Sequence, residues 1–386
     1  MATLVGTVPS IIDARVHFFD PRTPPWSLQR IGRASVPVLR ALPRPLLWIA
    51  SQFTQEHSLS GIAGPGLLAR RYQLADYTKD LAGLQSVAGV PVSAVIPVDS
   101  QWRRRQSAED SPEAFQRDLD HLLAQPYGVD GMPRLGGVIV PLDERAVGLG
   151  VRRLLDEDDD DLIRGVRLRW ARHPDPLVHD WTSTPDAFAT AHVERVLPDL
   201  IRRGLVIETL CYSHQLGELV EVADRYPEAT FVVEHLGLPA GVFGPVGNST
   251  GATAAARADI LNLWRERMAM LAARPNVLVK ISAIASPILG YGNEKSGNIG
   301  GQHILADMIG PLVLHVVDRF GPRRVIFGSN APLDGHNASI GVTVGALLDV
   351  LGDRGEYLLA HLFYENARRV YRVDDAATPD AGSAET

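Results

Sequence analysis

Residues 12–19 read IDARVHFF, and the assignment of this stretch decides how the rest of the chain is read. In an extended strand successive side chains point to opposite faces. Asp13, Arg15 and His17 would then share one face, with Ala14, Val16 and Phe18 on the other. One face carries an acid, a permanent cation and an imidazole, and the other is apolar and suited to packing. Taken alone, the segment reads equally well as an edge strand with one solvated side. Seven further short apolar runs tip the balance, because several of them also end in His, Arg, Lys or Asn.

Those runs are residues 91–98 (PVSAVIPV), 136–142 (GGVIVPL), 162–170 (LIRGVRLRW), 205–212 (LVIETLCY), 230–234 (TFVVE), 276–282 (NVLVKIS) and 324–328 (RVIFG). Helical spacing fills the intervals at 72–88, 111–125, 146–155, 184–203, 216–226, 254–273 and 304–320. Thr184 is placed to cap the fourth of these helices ahead of Pro185. Two closing helices are read at 340–351 and 355–371, and the acidic run 157–161 reads as a solvated turn. Short apolar strands alternating with helices argue for parallel strands buried on both faces. The expected fold is an α/β (β/α)8 barrel, a single domain over residues 1–373. A doubly wound open sheet is disfavoured because no glycine-rich phosphate loop follows the first strand.

Three segments fall outside that alternation. Residues 22–66 form a long proline-punctuated insertion, expected as a lid or an outer packing layer through Trp26, Leu46, Leu47, Trp48 and Phe53. The Gly/Ala/Ser-rich stretch 240–253 reads as mobile, and the small, polar tail 374–386 as disordered.

Composition narrows the function classes. The 386 residues are 45% hydrophobic and 22% charged, with a net charge of −7, which is the balance of a globular protein without a basic footprint for nucleic acid. The single cysteine, Cys211, excludes an internal disulfide and paired-cysteine zinc sites and suits a reducing cytoplasm. The N-terminus lacks a signal-peptide pattern. The most apolar stretch, 36–53, is interrupted by Arg40, Pro43, Arg44 and Pro45, so no membrane span is expected.

In a barrel of this kind chemistry sits at the C-terminal ends of the strands. Those ends supply Arg15 and His17, Asp99, Arg167 and Arg169, His214, His235, Lys280 and Ser282, and Asn330, with Asp334 just beyond. Arg167 and Arg169 also read as structural partners of Glu208 or Asp99, and His17 and His235 as buried histidines bonded to carbonyls. His173, His179, His192, His303 and His361 fall in loops or helices and read as surface residues.

These residues resemble the amidohydrolase-related (amidohydrolase 2) group of the metal-dependent-hydrolase superfamily, which contains lactonases and decarboxylases. IIDARVHFFDP looks like that group's opening strand, CYSHQLGEL and ADRYPEATFVVEHLGLP like its fifth and sixth strands. VLVKISA, VIFGSNAPLD and ENARRVYR look like its last two strands and final helix. The resemblance implies His-x-His on the first strand, holding a divalent metal such as zinc, but the first position here is Arg15 and only His17 matches. It further implies His214 and His235 as ligands or catalytic groups, and an aspartate where this chain has Asn330.

Arginine carries no lone pair and repels a dication. A zinc site would therefore rest on His17, His214 and His235 alone. Otherwise Arg15 takes over the metal's electrostatic work, with His235, His214 or Asp334 as general base and Arg167, Arg169, Lys280, Ser282 and Asn330 holding the substrate. The expected activity is opening of a lactone of a small anionic substrate, without an organic cofactor and compatibly with a homo-oligomer. The alternatives are a metal-dependent decarboxylase and a catalytically silent ligand-binding barrel.

Overall fold

The structure is a computed structural model, described for residues 3–20, 70–98, 112–142, 155–156, 158, 161–182, 191–292 and 298–374. The expected lid at 22–66, Asp99, the helix at 146–155 up to its last residue, Thr184 with Pro185, and the tail beyond residue 374 lie outside the described residues.

The described strands are β1 (Ile11–Val16), β2 (Val92–Pro97), β3 (Arg134–Leu135), β4 (Val138–Leu142), β5 (Ile163–Arg169), β6 (Val206–Leu210), β7 (Thr230–Val233), β8 (Val277–Ile281) and β9 (Val325–Phe327). They pair in parallel throughout, β1-β2-β3 in one sheet and β4 through β9 in sequence order in the other. Two single parallel bridges, Val98 to Ile139 and Val16 to Ala331, join the sheets at their seams. β1, β2 and β4 to β9 thus follow one another around a ring, the (β/α)8 barrel that the alternation predicts. The two-residue β3 is the early start of the third predicted strand.

Every residue of β1, β4, β6, β8 and β9 is buried, as parallel strands covered on both faces require. Each aliphatic side chain so enclosed contributes roughly 1.5–3 kcal/mol. The barrel is thus held mainly by Val, Ile and Leu, leaving a few polar positions for other work.

Two helices depart from their predicted form. The segment read as one helix at 72–88 is divided into Leu74–Asp80 and Leu84–Ala88, because Gly83 adopts φ +85° between them. The last helix runs from Glu356 to Val370 through a π-helical turn at His361–Glu365.

The stretch 240–253 is not the loose insertion its composition suggests. Gly241 and Phe243 donate backbone N–H bonds to the Ile288 and Leu289 carbonyls, both at 2.9 Å. Asp175 Oδ2 accepts from the backbone N–H of Ser249 at 2.9 Å and of Thr250 at 3.2 Å, and from Thr250 Oγ1 at 3.0 Å. One carboxylate thereby ties this stretch to the segment after β5.

Candidate active site

The first strand does not keep its alternation. Asp13 pairs with Val95 and Val16 with Pro97, so three residues on β1 span two on β2, and the register shifts between them. Such a bulge re-aims the side chains on either side of it. Asp13 accordingly accepts a hydrogen bond from the Tyr77 hydroxyl of the helix Leu74–Asp80 at 2.8 Å and from the Ser329 N–H at 2.8 Å. The predicted shared face of Asp13, Arg15 and His17 is corrected: Asp13 buttresses the helix layer, while Arg15 turns into the barrel.

Arg15 is 1% exposed and is the centre of the site. Its Nη1 donates to Glu234, its Nη2 lies 3.3 Å from His235 Nε2, and Glu208 Oε2 lies 3.6 Å from Nη1. Gly328 makes the room, because a Cβ there would come within 2.5 Å of the Arg15 Cβ. Arg167, from β5, grips Glu234 from the other side with Nε at 3.0 and 3.1 Å from the two carboxylate oxygens and Nη2 at 2.9 Å. Its guanidinium carbon stands 5.8 Å from the centre of the Trp181 ring. Of the expected partners of Arg167, Glu208 is corrected to Glu234, and Asp99 lies outside the described residues. Burial pushes the Glu234 carboxyl up, and the two guanidinium groups more than reverse this, holding it well below the ordinary carboxylate range.

His235 is fixed as a tautomer by its neighbours. A guanidinium can only donate, so Nε2 accepts from Arg15, and the ring proton is on Nδ1, which donates to Ser282 Oγ at 2.9 Å. His17 Nδ1 lies 3.2 Å from the Val98 carbonyl and carries a proton, because a carbonyl can only accept. Burial, and after it the charge of Arg15, pushes both imidazoles well below 6.5, so both are neutral.

Linkage gives the sign of the effect on stability. Below 6.5 the unfolded chain protonates these histidines and the folded chain does not, so stability is lost as pH falls from 6.5 toward the depressed values. Denaturant titrations of His235→Asn are expected to show a shallower loss over that range than the native chain.

Arg15, Arg167, Trp181, His235, Ser286, Asn330 and apolar residues including Leu210, Leu238, Ile288 and Leu333 line one narrow cavity. The other predicted site residues take different places. Ser282 is behind His235, and Asp334 is behind Asn330, accepting from its Nδ2 at 2.7 Å and from the Ala285 N–H at 2.9 Å. Burial raises the Asp334 carboxyl to about 7 against these bonds. Arg169 is half-buried at the end of β5.

Lys280 does not reach the cavity lining. Its Nζ donates to Glu208 Oε1 at 2.5 Å and to the Ala14 carbonyl at 2.8 Å, with the Tyr371 ring centre 5.2 Å away. His214 is exposed, stacked on Tyr212 and 3.1 Å from the Arg172 carbonyl, in a short 3-10 turn that aims it outward between the buried Ser213 and Gln215.

This arrangement bears on the metal that the resemblance implies. An Arg15 N–H takes the lone pair of His235 Nε2, the guanidinium stands where a cation would need to lie, and His214 is turned away. Among the described residues no group of three His, Cys, Asp or Glu side chains is disposed to hold a metal ion. The residues present do not fit a metal centre of the His-x-His type.

Sequence reasoning passed over Glu234, Trp181 and Tyr371, and named Glu208 only as a partner of Arg167 or Arg169. Glu208 and Lys280 were detectable as lone charges inside otherwise apolar strands, LVIETL and VLVKI, where only mutual pairing allows burial. Glu234 immediately precedes His235 at a strand end. Trp181 and Tyr371 gave no comparable signal.

The amidohydrolase family model matches residues 12–373. Two curated relatives are each 28% identical: the uncharacterized protein y4mH of Sinorhizobium fredii over 211 residues, and an L-fucono-1,5-lactonase of Burkholderia ambifaria over 200 residues. The matches take in 55% and 50% of this chain and span 61% and 57% of those proteins. An amidohydrolase of Burkholderia multivorans, solved with bound zinc, superposes with a TM-score of 0.64 at 20% identity, over 95% of this chain and all of the other. With the family model running from the first strand through the closing helix, the chain belongs to the amidohydrolase family, whose members are hydrolases or decarboxylases acting on small molecules.

Proposed function

We propose that this protein hydrolyses a lactone or similar cyclic ester of an anionic substrate, with Arg15 in the role that a metal ion plays in its relatives. The observation that carries the reading is the placement of the Arg15 guanidinium in the cavity, in contact with the neutral His235 Nε2 and steadied by Glu234. The lactonase relative supports the choice of a cyclic ester.

A substrate carbonyl directed at Arg15 is polarised by a cation that needs no reorganisation as the oxyanion forms. As the Arg15 N–H turns from His235 Nε2 to the carbonyl oxygen it frees that lone pair, and a water molecule attacks the carbonyl carbon and gives its proton to His235 Nε2. The Nδ1–H bond to Ser282 fixes that acceptor, and Glu234, 3.7 Å from Nε2, offsets the positive charge that the ring acquires. Collapse of the tetrahedral oxyanion breaks the ring C–O bond, and the leaving alkoxide takes the proton from His235, giving a hydroxy acid. Arg167, backed by Trp181, anchors the substrate's carboxylate, since a guanidinium matches that shape with two donors.

The test is a panel of lactones assayed by acid release, on protein purified and assayed with and without a chelator. Hydrolysis that survives the chelator and is abolished in His235→Ala is the expected result. Absence of hydrolysis across the panel, or activity that tracks bound zinc, overturns the reading.

A further inference from the structure

Asn330 lines the cavity with only half of its side chain used among the described residues. Its Nδ2 donates to Asp334 Oδ1 at 2.7 Å, while its Oδ1 has no hydrogen-bond partner among the described residues. The residue is 2% exposed, and it lines the cavity that holds Arg15, Arg167 and His235. A buried oxygen left without a donor is destabilising, and a ligand that brings the donor removes that cost.

The groups behind Asn330 fix which way its amide points. Asp334 Oδ2 accepts the Ala285 N–H at 2.9 Å and Oδ1 accepts the Asn330 amide. An ionised carboxylate offers acceptors only, so the NH2 end must face Asp334 and the oxygen must face the cavity. The backbone is held equally firmly: the Asn330 N–H donates to the Arg15 carbonyl at 2.9 Å, and the residue sits at φ +58°, a left-handed conformation that asparagine tolerates better than most residues. His235 and Ala283, which also line the cavity, share this left-handed backbone at φ +55° and +53°. Such conformations cluster where a site is shaped for a ligand.

We infer that Asn330 is a specificity-determining acceptor which selects substrates carrying a hydroxyl or N–H donor beside the group that Arg15 holds, and that Asp334 is the positioning residue setting its polarity. The inference rests on the hydrolase reading and narrows its substrate class: the lactone bears a hydroxyl or N–H next to the scissile carbonyl, and the product is an α-hydroxy or α-amino acid derivative. A plain or α-oxo ring leaves Oδ1 unmatched and is discriminated against.

The test uses two small acids of nearly identical shape, lactate and pyruvate, whose binding is measured by calorimetry in alkaline buffer, where Asp334 is ionised. The native protein is expected to bind one enantiomer of lactate at least about tenfold more tightly than pyruvate, the loss that follows from an unmatched buried acceptor. Asp334→Asn reverses the polarity. The single oxygen of the introduced amide must serve the Ala285 N–H, its NH2 turns to Asn330, and the Asn330 amide flips to show an N–H to the cavity. The preference for lactate should then vanish, with pyruvate binding strengthened. Asn330→Ala is the second variant, expected to weaken lactate and leave pyruvate unchanged.

Equal affinity of the native protein for the two acids, or no affinity for either, overturns the inference. So does an unchanged preference in Asn330→Ala. Binding of the acids does not depend on turnover, and the lactone panel is read separately, so failure of this inference is distinguishable from failure of the hydrolase reading.

Discussion

Arg15→Ala is expected to lower kcat for lactone hydrolysis by about 10²- to 10³-fold, the loss typical of deleting one oxyanion donor. The fall should appear mainly in kcat, because the guanidinium's bond to the carbonyl oxygen strengthens as negative charge develops on it. Arg15→Lys should recover only a small part of the rate. An ammonium is a point charge and cannot reach Glu234 and the substrate carbonyl at once as the guanidinium fork does. A lysine variant with native kcat would show that the cation's shape is immaterial and would remove the argument from geometry. Removal of the side chain also leaves Glu234 with Arg167 as its remaining cationic partner among the contacts described here, so the rate should be read on protein verified as folded.

Glu234→Ala is expected to have the larger effect on stability. Glu234 is fully buried and accepts from both Arg15 and Arg167. Deleting one member of a buried charged network leaves charge uncompensated and typically costs about 3–5 kcal/mol. For a chain of this size that should appear as a substantially lower denaturant midpoint, or as failure to accumulate in folded form. Glu234→Gln keeps one acceptor and is expected to fall between. A native midpoint for Glu234→Ala would mean that water or a rearranged Glu208 takes over the pairing.

The fold was legible because the eight strands are buried on both faces, and short apolar runs, here of five to nine residues, are what that burial demands. Each predicted strand has its counterpart within a few residues. The site was legible only in part. Arg15, Arg167, His235 and Asn330 were found because they close apolar strands, and all four line the cavity.

His214 was read as a further strand-end group, but a single 3-10 turn after β6 points it outward, and no periodicity records the direction of one turn. Lys280 was placed at the rim, although its position in the middle of a strand's apolar run belongs to the interior, where Glu208 and Tyr371 surround it. The bulge in β1 was invisible for a related reason. Nothing in IDARVHFF distinguishes strict alternation from alternation with one residue added, and only pairing with β2 reveals the difference.

The backbone seam between β1 and the segment after β9 carries a consequence for biosynthesis. Arg15 offers its carbonyl to Asn330, His17 donates to Ala331, and Ser329 caps Asp13, so the first strand and the segment after the last one are stitched together at Arg15 itself. On the ribosome, Arg15 is made about three hundred residues before Asn330 and Leu333 complete the cavity around it. A nascent chain arrested short of that last strand would hold every histidine of the centre and still have nothing to close around a ligand.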